Sequence, residues 1–145
     1  MSIINEISNY FKFINLHESL KDIVFYAEDE ESSCHFQGII NSLVNDFNHP
    51  VIYITSQIND KIFEYSTENI FPFYFKRFLP QIIQNLKSKV LVMTMPDLDI
   101  FHIKRSKYDT NHIYIFHNIG SSFPVIRFGA LFNYDTIFCV GSHHK

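Results

Sequence analysis

One imidazole in the sequence stands directly after a run of residues that is typical of a buried strand. Residues 112–116, HIYIF, are β-branched and aromatic in type, and His117 follows them. Ligands of open α/β sheets bind outside the carboxyl ends of the strands, so His117 is expected at the mouth of a cleft. The turn Gly120-Ser121-Ser122 adds hydroxyls and backbone N–H donors that suit an anion. The pattern predicts a base beside an anion site, and a histidine that merely ends a strand fits it too.

Two further segments at predicted strand ends carry polar and cationic residues. The carboxyl ends of parallel strands open on one edge, so residues 94–105 and 141–145 are expected beside residues 117–122. Such a rim can bind a phosphorylated substrate through imidazoles, cations and hydroxyls, while a solvated rim with ordinary helix caps is the alternative. The residues that we expect to bind substrate there are His102, Lys104, Arg105, Ser121, Ser122, His143 and His144.

Strands and helices alternate along the chain with short connections, which predicts a three-layer α/β domain with a parallel sheet of about six strands. The predicted strands are residues 23–26, 51–55, 70–74, 90–93, 112–116 and 136–140. Pro72 cannot donate to a strand ladder, so residues 70–74 are expected at an edge of the sheet. Helices are predicted at residues 2–15, around 33–47 and 78–86, and at 124–131.

The first predicted helix, within an N-terminal segment of residues 1–18, is amphipathic. Its predicted apolar face consists of Ile3, Ile7, Tyr10, Phe11 and Ile14, and its predicted polar face of Asn5, Glu6, Asn9 and Lys12. A helix that lies on a membrane needs a polar face rich in Lys and Arg, and this one has a single Lys. Docking on the domain or on a partner is therefore favoured over lipid.

The composition limits the partners of the chain. The 145 residues fit one domain with a packed core, and the net charge of -3 gives no basic field for nucleic acid, so no nucleic-acid partner is expected. Cys34 and Cys139 lack metal-ligand spacing and are expected to be reduced and mostly buried. Without a signal-peptide pattern the predicted location is cytoplasmic, with peripheral association at the inner face of the membrane left open.

Other site chemistries find less support in the sequence. Asp97, Asp99 and His102 could ligate a divalent metal, but the same string is typical of a capped helix start, so no metal is expected. The glycine-rich motifs of dinucleotide binding and of P-loop nucleotide hydrolysis are absent. The nucleophile elbow of serine hydrolases is absent as well. No cofactor is predicted.

Three late segments resemble a known family. They are VLVMTMPDLDIFHIKRS (90–106), HIYIFHNIGSS (112–122) and YDTIFCVGSHHK (134–145), with looser likeness in FYAEDEESSCHFQGII (25–40) and VIYITSQIND (51–60). These segments resemble the amino-terminal half of the CDP-glycerol glycerophosphotransferases, a family that includes teichoic-acid polymerases.

The resemblance implies a GT-B enzyme, in which two Rossmann-like domains face each other across a cleft. Such an enzyme moves glycerol phosphate from CDP-glycerol to a hydroxyl of a polymer or lipid-linked acceptor and needs no metal. The likeness implies that residues 1–145 form the acceptor-side domain. It also implies that His117 is the base for the acceptor hydroxyl and that Lys104 and Arg105 hold the acceptor phosphates.

The chain departs from the family pattern in two ways. Relatives have Ser-Thr-His in the loop after the strand-end histidine, whereas Phe123 follows Ser121-Ser122 here, so a second imidazole is missing. The 145 residues also accommodate only one of the two expected domains, so transfer is expected to need a nucleotide-binding domain supplied by a longer protein or by a partner chain. The alternatives are an inactive binding or assembly module and a GT-B glycosyltransferase that uses a nucleotide sugar.

Overall fold

A single parallel sheet forms the centre of the protein in its computed structural model, which describes residues 3–64, 68–116, 126–139 and 141. The sheet has six strands in the order β3-β2-β1-β4-β5-β6, and every neighbouring pair is parallel. The strands are β1 (Ile23–Ala27), β2 (Val51–Thr55), β3 (Ile70–Tyr74), β4 (Val90–Met93), β5 (Asn111–Ile115) and β6 (Thr136–Phe138). The predicted α/β class with a Rossmann-like parallel sheet is confirmed.

The central strands are apolar at consecutive positions because both faces of the sheet are covered. All five residues of β2 are buried, and four of the five in β1 are. A continuous apolar run is the pattern expected of a strand buried on both sides. Strand β3 lies at one edge, where Pro72 pairs opposite Tyr53, so the predicted edge position is confirmed.

Helices lie on both faces of the sheet. The described helices are α1 (Ile3–Ile14), α2 (Glu30–Asn41), which continues into a π-helical turn (Ser42–Asp46), and α3 (Leu79–Gln84). Helices α1 and α3 pack on one face, where Phe13 and Ile83 join the cluster around Tyr26. Helix α2 covers the other face through Phe36 and Ile40. None of the described helices has the length and apolarity to cross a membrane.

Helix α1 turns a different face to the domain than its apolar residues predict. Glu6 and Phe13 are buried, whereas Ile7, Phe11 and Ile14 are exposed. The prediction that Glu6 lies on the solvent face is therefore wrong. Its carboxylate oxygen Oε1 accepts hydrogen bonds from three backbone N–H groups, those of residues 76–78, at 2.7, 2.7 and 3.0 Å.

Two other expectations are also corrected. The described part of the predicted helix at 124–131, residues 126–131, is not helical, and residues 128–131 form turns. Gly129 stands in its middle with φ of +86°, a left-handed conformation that interrupts a helix. Cys34 and Cys139 are both exposed rather than buried.

Candidate functional site

A cavity of about 230 Å³ lies at the carboxyl ends of β1 and β4. These strands are the point where the strand order reverses, because β2 and β3 lie to one side of β1 and β4 to the other. Open α/β sheets bind ligands in the crevice at this reversal. The cavity, which we call the switch-point cavity, is lined by Glu28, Met95, Pro96, Asp97, Phe101, His102 and Ile103.

The loop after β4 supplies most of the cavity wall and is shaped by two unusual backbone conformations. Asp97 and Asp99 have φ of +63° and +66°. The left-handed region costs a residue other than glycine about 1–2 kcal/mol, although aspartate adopts it more readily than most. The Asp97 N–H donates to Ala130 O at 2.9 Å, and the Asp99 N–H donates to Ile103 O at 2.9 Å. These bonds hold the loop curled at the strand ends.

Residues 126–134 brace this loop from the outside. The Asn133 side-chain amide donates to Leu98 O at 2.8 Å, and the Tyr134 hydroxyl donates to Met95 O. Burial raises the pKa of Tyr134 above its ordinary value, so the phenol keeps its proton and remains a donor. The cavity wall is thus fixed by side chains that are remote in sequence.

Arg127 reaches the cavity wall from this bracing segment. Its Nε donates to Asp97 Oδ1 at 2.8 Å, and its guanidinium carbon lies 5.4 Å from the centroid of the Phe101 ring. Both contacted residues line the cavity, so Arg127 packs against two residues of the cavity wall without itself lining the cavity. Sequence reasoning missed this residue, because it lies between predicted strands and not at a strand end.

The polar groups of the cavity can accept hydrogen bonds from hydroxyls. Glu28, which follows β1, is exposed, and so is His102, which belongs to the loop after β4. An exposed carboxylate accepts hydrogen bonds from hydroxyl groups, and an imidazole can accept or donate a hydrogen bond. His102 is the one residue of the predicted substrate-binding set that the structure places in this cavity.

Arg105 lies at the opposite edge of the sheet from the predicted rim. Its Nη2 contacts both carboxylate oxygens of Asp135, at 3.0 and 2.8 Å, and its Nη1 donates to Asn133 O. Asp135 precedes β6 and accepts the N–H of His112 at the start of β5, at 2.8 Å. The guanidinium therefore sits at the amino ends of β5 and β6, and its expected position at the carboxyl edge is corrected. The chain has already turned back across the sheet after Ile103.

Lys104 follows the last cavity residue without lining the cavity. Its Nζ donates to the backbone carbonyl of Asp99 at 2.8 Å. The contact ties the end of the loop together, and the cation lies outside the set of residues that line the cavity.

His112 fastens the returning chain to the sheet. It is fully buried, its Nε2 accepts the N–H of Ser106 at 3.2 Å, and its Nδ1 lies 3.4 Å from Asp135 Oδ2. Because Nε2 accepts, the neutral ring carries its proton on Nδ1, facing the carboxylate. Burial, and then the charge of Arg105, lowers the pKa of His112. The ring is neutral and structural, with no access to a ligand.

The remaining predicted site residues, His117, Ser121, Ser122, His143 and His144, lie outside the described residues. The strands that lead toward them are placed as expected, because β4, β5 and β6 are adjacent and parallel. Their roles stay predictions.

The string Asp97, Asp99 and His102 does not converge on one point. Asp97 Oδ1 accepts from Arg127, and Asp99 Oδ1 accepts the N–H of Arg105 at 3.2 Å. Within the described segments, no three His, Cys, Asp or Glu side chains are grouped closely enough to hold a metal ion.

Comparisons with protein families, with curated proteins and with solved structures found no match to the chain.

Proposed function

We propose that this chain is the acceptor-binding domain of a glycerophosphotransferase-like enzyme. The observation that carries the proposal is the position of the switch-point cavity. Six of its seven lining residues come from residues 95–103, inside the segment 90–106 that resembles the family. A cavity at the reversal of strand order is where an α/β domain binds its ligand.

The cavity suits the hydroxyl end of a polyol phosphate. Glu28 and His102 can hydrogen-bond hydroxyls, and the apolar side chains of Met95, Pro96 and Ile103 can pack against carbon atoms. His102 thus orients the acceptor in this proposal.

The transfer step needs a base and a donor. In this proposal His117 takes the proton of the acceptor hydroxyl while the hydroxyl oxygen attacks the phosphorus that carries glycerol. The bond from that phosphorus to the bridging oxygen breaks, and CMP leaves. The donor CDP-glycerol would be held by a second domain or a partner chain, facing the carboxyl edge of the sheet.

Turnover with a supplied nucleotide-binding domain tests the proposal. The chain is mixed with, or fused to, the carboxy-terminal domain of a glycerophosphotransferase, and CMP release from CDP-glycerol is measured with a poly(glycerol phosphate) primer. His117→Ala is expected to lower the rate by about 10²–10⁴-fold, the usual contribution of a general base.

His49→Ala is the matched control, because His49 precedes β2 at the amino edge of the sheet, where its ring contacts the backbone carbonyl of Pro50. Its rate is expected to equal that of the wild type. CMP release that survives His117→Ala would exclude His117 as the base. Primer binding without any CMP release would make the chain a binding module and not half of a transferase.

A further inference from the structure

Arg127 is held against the cavity wall by contacts that leave its two terminal amino groups without a hydrogen-bond partner among the described residues. The hydrogen bond to Asp97 uses Nε, and the Phe101 ring lies against the guanidinium. The Arg127 side chain is still 54% exposed. A guanidinium presents its donors as a planar fork, so the unused pair matches two oxygens of one phosphate.

Hydrogen bonds hold the backbone around Arg127 against the loop after β4. Ala130 O, three residues later, accepts the N–H of Asp97, and the Ala130 N–H donates to Arg127 O at 3.2 Å. The Asn133 side chain bonds Leu98 O on the same loop. A cation that is already oriented loses less side-chain entropy when it binds an anion.

The charges around the cavity include carboxylates that line its wall and a cation that contacts two of the lining residues. Glu28 and Asp97 are carboxylates that line the wall, and Asp97 is already paired with Arg127. Arg105 is paired with Asp135 at the other edge of the sheet, and Lys104 bonds a backbone carbonyl. The Arg127 guanidinium, in contrast, contacts two lining residues, Asp97 and Phe101.

We propose that Arg127, oriented by Asp97 and Phe101, binds a phosphate group of the ligand whose hydroxyls enter the switch-point cavity. The ligand class is a phosphorylated polyol, with its phosphate at Arg127 and its hydroxyls toward Glu28 and His102. The identity of this ligand as the acceptor of a transfer reaction rests on the proposed function, but the phosphate contact does not.

Calorimetric titration of the whole chain with glycerol 3-phosphate tests the proposal, with glycerol as the uncharged probe. Arg127→Gln is expected to weaken binding by about tenfold or more, because it removes charge-assisted hydrogen bonds to the phosphate, which are stronger than neutral ones. Arg127→Lys is expected to weaken it as well, since lysine keeps the charge and loses both the fork and the Nε bond. Glycerol is expected to bind the wild type more weakly than glycerol 3-phosphate does, and to bind the wild type and all variants with about equal affinity.

Arg77→Gln is the matched control. Arg77 is exposed and follows β3, three strands away from β4, and its loss changes the net charge by the same amount. The control is expected to bind glycerol 3-phosphate like the wild type, and urea unfolding checks that each variant is folded. Equal weakening in both variants would reduce the effect to overall charge and overturn the proposal. Wild-type affinity in Arg127→Gln, or no binding to the wild type at millimolar ligand, would overturn it too.

The test separates this inference from the proposed function. Phosphate binding that depends on Arg127, without CMP release when the nucleotide-binding domain is supplied, would support the phosphate site and contradict the transferase function. CMP release that is unchanged in Arg127→Gln, with unchanged binding, keeps the transferase and removes the role of Arg127.

Discussion

The buried carboxylate of Glu6 links the first helix to the rest of the domain, and replacing it gives a direct measure of that link. Its Oε1 accepts the backbone N–H groups of Lys76, Arg77 and Phe78, which lie 70 to 72 residues away in sequence. These donors immediately precede α3, whose first N–H groups lack helical partners. The variant Glu6→Gln keeps the size of the side chain and removes its charge.

The size of the effect follows from the three bonds. A hydrogen bond to a charged group contributes about 1.5–3 kcal/mol and a neutral one about 0.5–1.5 kcal/mol, so each bond loses about 1 kcal/mol. The bonds share one oxygen and are not additive, and we expect the free energy of unfolding to fall by about 2 kcal/mol. With a urea m-value of about 1–3 kcal/mol/M, the unfolding midpoint drops by about 1 M.

Two measurements check this expectation. Urea unfolding gives the midpoint, and hydrogen exchange reports the amides of residues 76–78, which should exchange faster in the variant. Glu64→Gln removes an exposed carboxylate and is expected to change stability by less than about 0.5 kcal/mol. An unfolding midpoint of Glu6→Gln equal to that of the wild type would refute the assigned role of the three hydrogen bonds.

Three further predictions concern the segments that position the cavity. Below pH 6.5 His112 is protonated in the unfolded chain, while burial keeps the ring neutral in the folded protein, so the free energy of unfolding falls by up to about 1.4 kcal/mol per pH unit until the pH reaches the lowered pKa of the folded state. The urea midpoint of His112→Gln should therefore change less between pH 7.5 and 5.5 than that of the wild type. The same pH dependence in both proteins would contradict this. Arg105→Gln should lower the free energy of unfolding, measured with urea, by about 1–2 kcal/mol because the contacts with Asp135 are lost, and should leave glycerol 3-phosphate binding unchanged. Weakened binding would show that Arg105 contributes to the ligand site. Gly129→Ala should lower the free energy of unfolding by about 1–2 kcal/mol. The cause is the left-handed φ of +86° and not a clash, because the new Cβ would lie at an ordinary 3.8 Å from the Phe132 side chain. An unchanged urea midpoint would contradict this.

The strands could be predicted closely because their signals are local. The boundaries of β2, β3 and β4 agree with the predicted ranges to the residue. Each is a short run of apolar residues, rich in β-branched or aromatic types, bounded by residues that favour turns. The alternation with helices then limits the architecture to a parallel sheet, because parallel strands need crossover connections.

The errors arise where long-range contacts override local pattern. Counting apolar positions assigns Glu6 to solvent, since nothing nearby in sequence reveals its partners at residues 76–78. The position of Arg105 depends on where the chain turns back, which is set by the left-handed conformations of Asp97 and Asp99. Neither position is a glycine, the residue type that would have indicated a left-handed conformation in the sequence.

The candidate site was only partly accessible to sequence reasoning. The strand-end rule found His102, which lines the cavity. Arg127 belongs to a segment with a helical apolar pattern, which Gly129 breaks into turns. Its contact with Asp97 spans 30 residues, and no local spacing encodes such a contact.

Mapping the binding site of a glycerol-phosphate oligomer on the whole chain tests the central claim most directly. Amide chemical-shift changes are followed by NMR during titration of the isotope-labelled protein. We predict that the shifts concentrate in residues 95–103 and at Glu28 and Arg127, and that His102→Ala weakens binding while His49→Ala does not. Shifts confined to the amino edge around Arg105 and His112, or no shifts at millimolar oligomer, would contradict an acceptor site in the switch-point cavity.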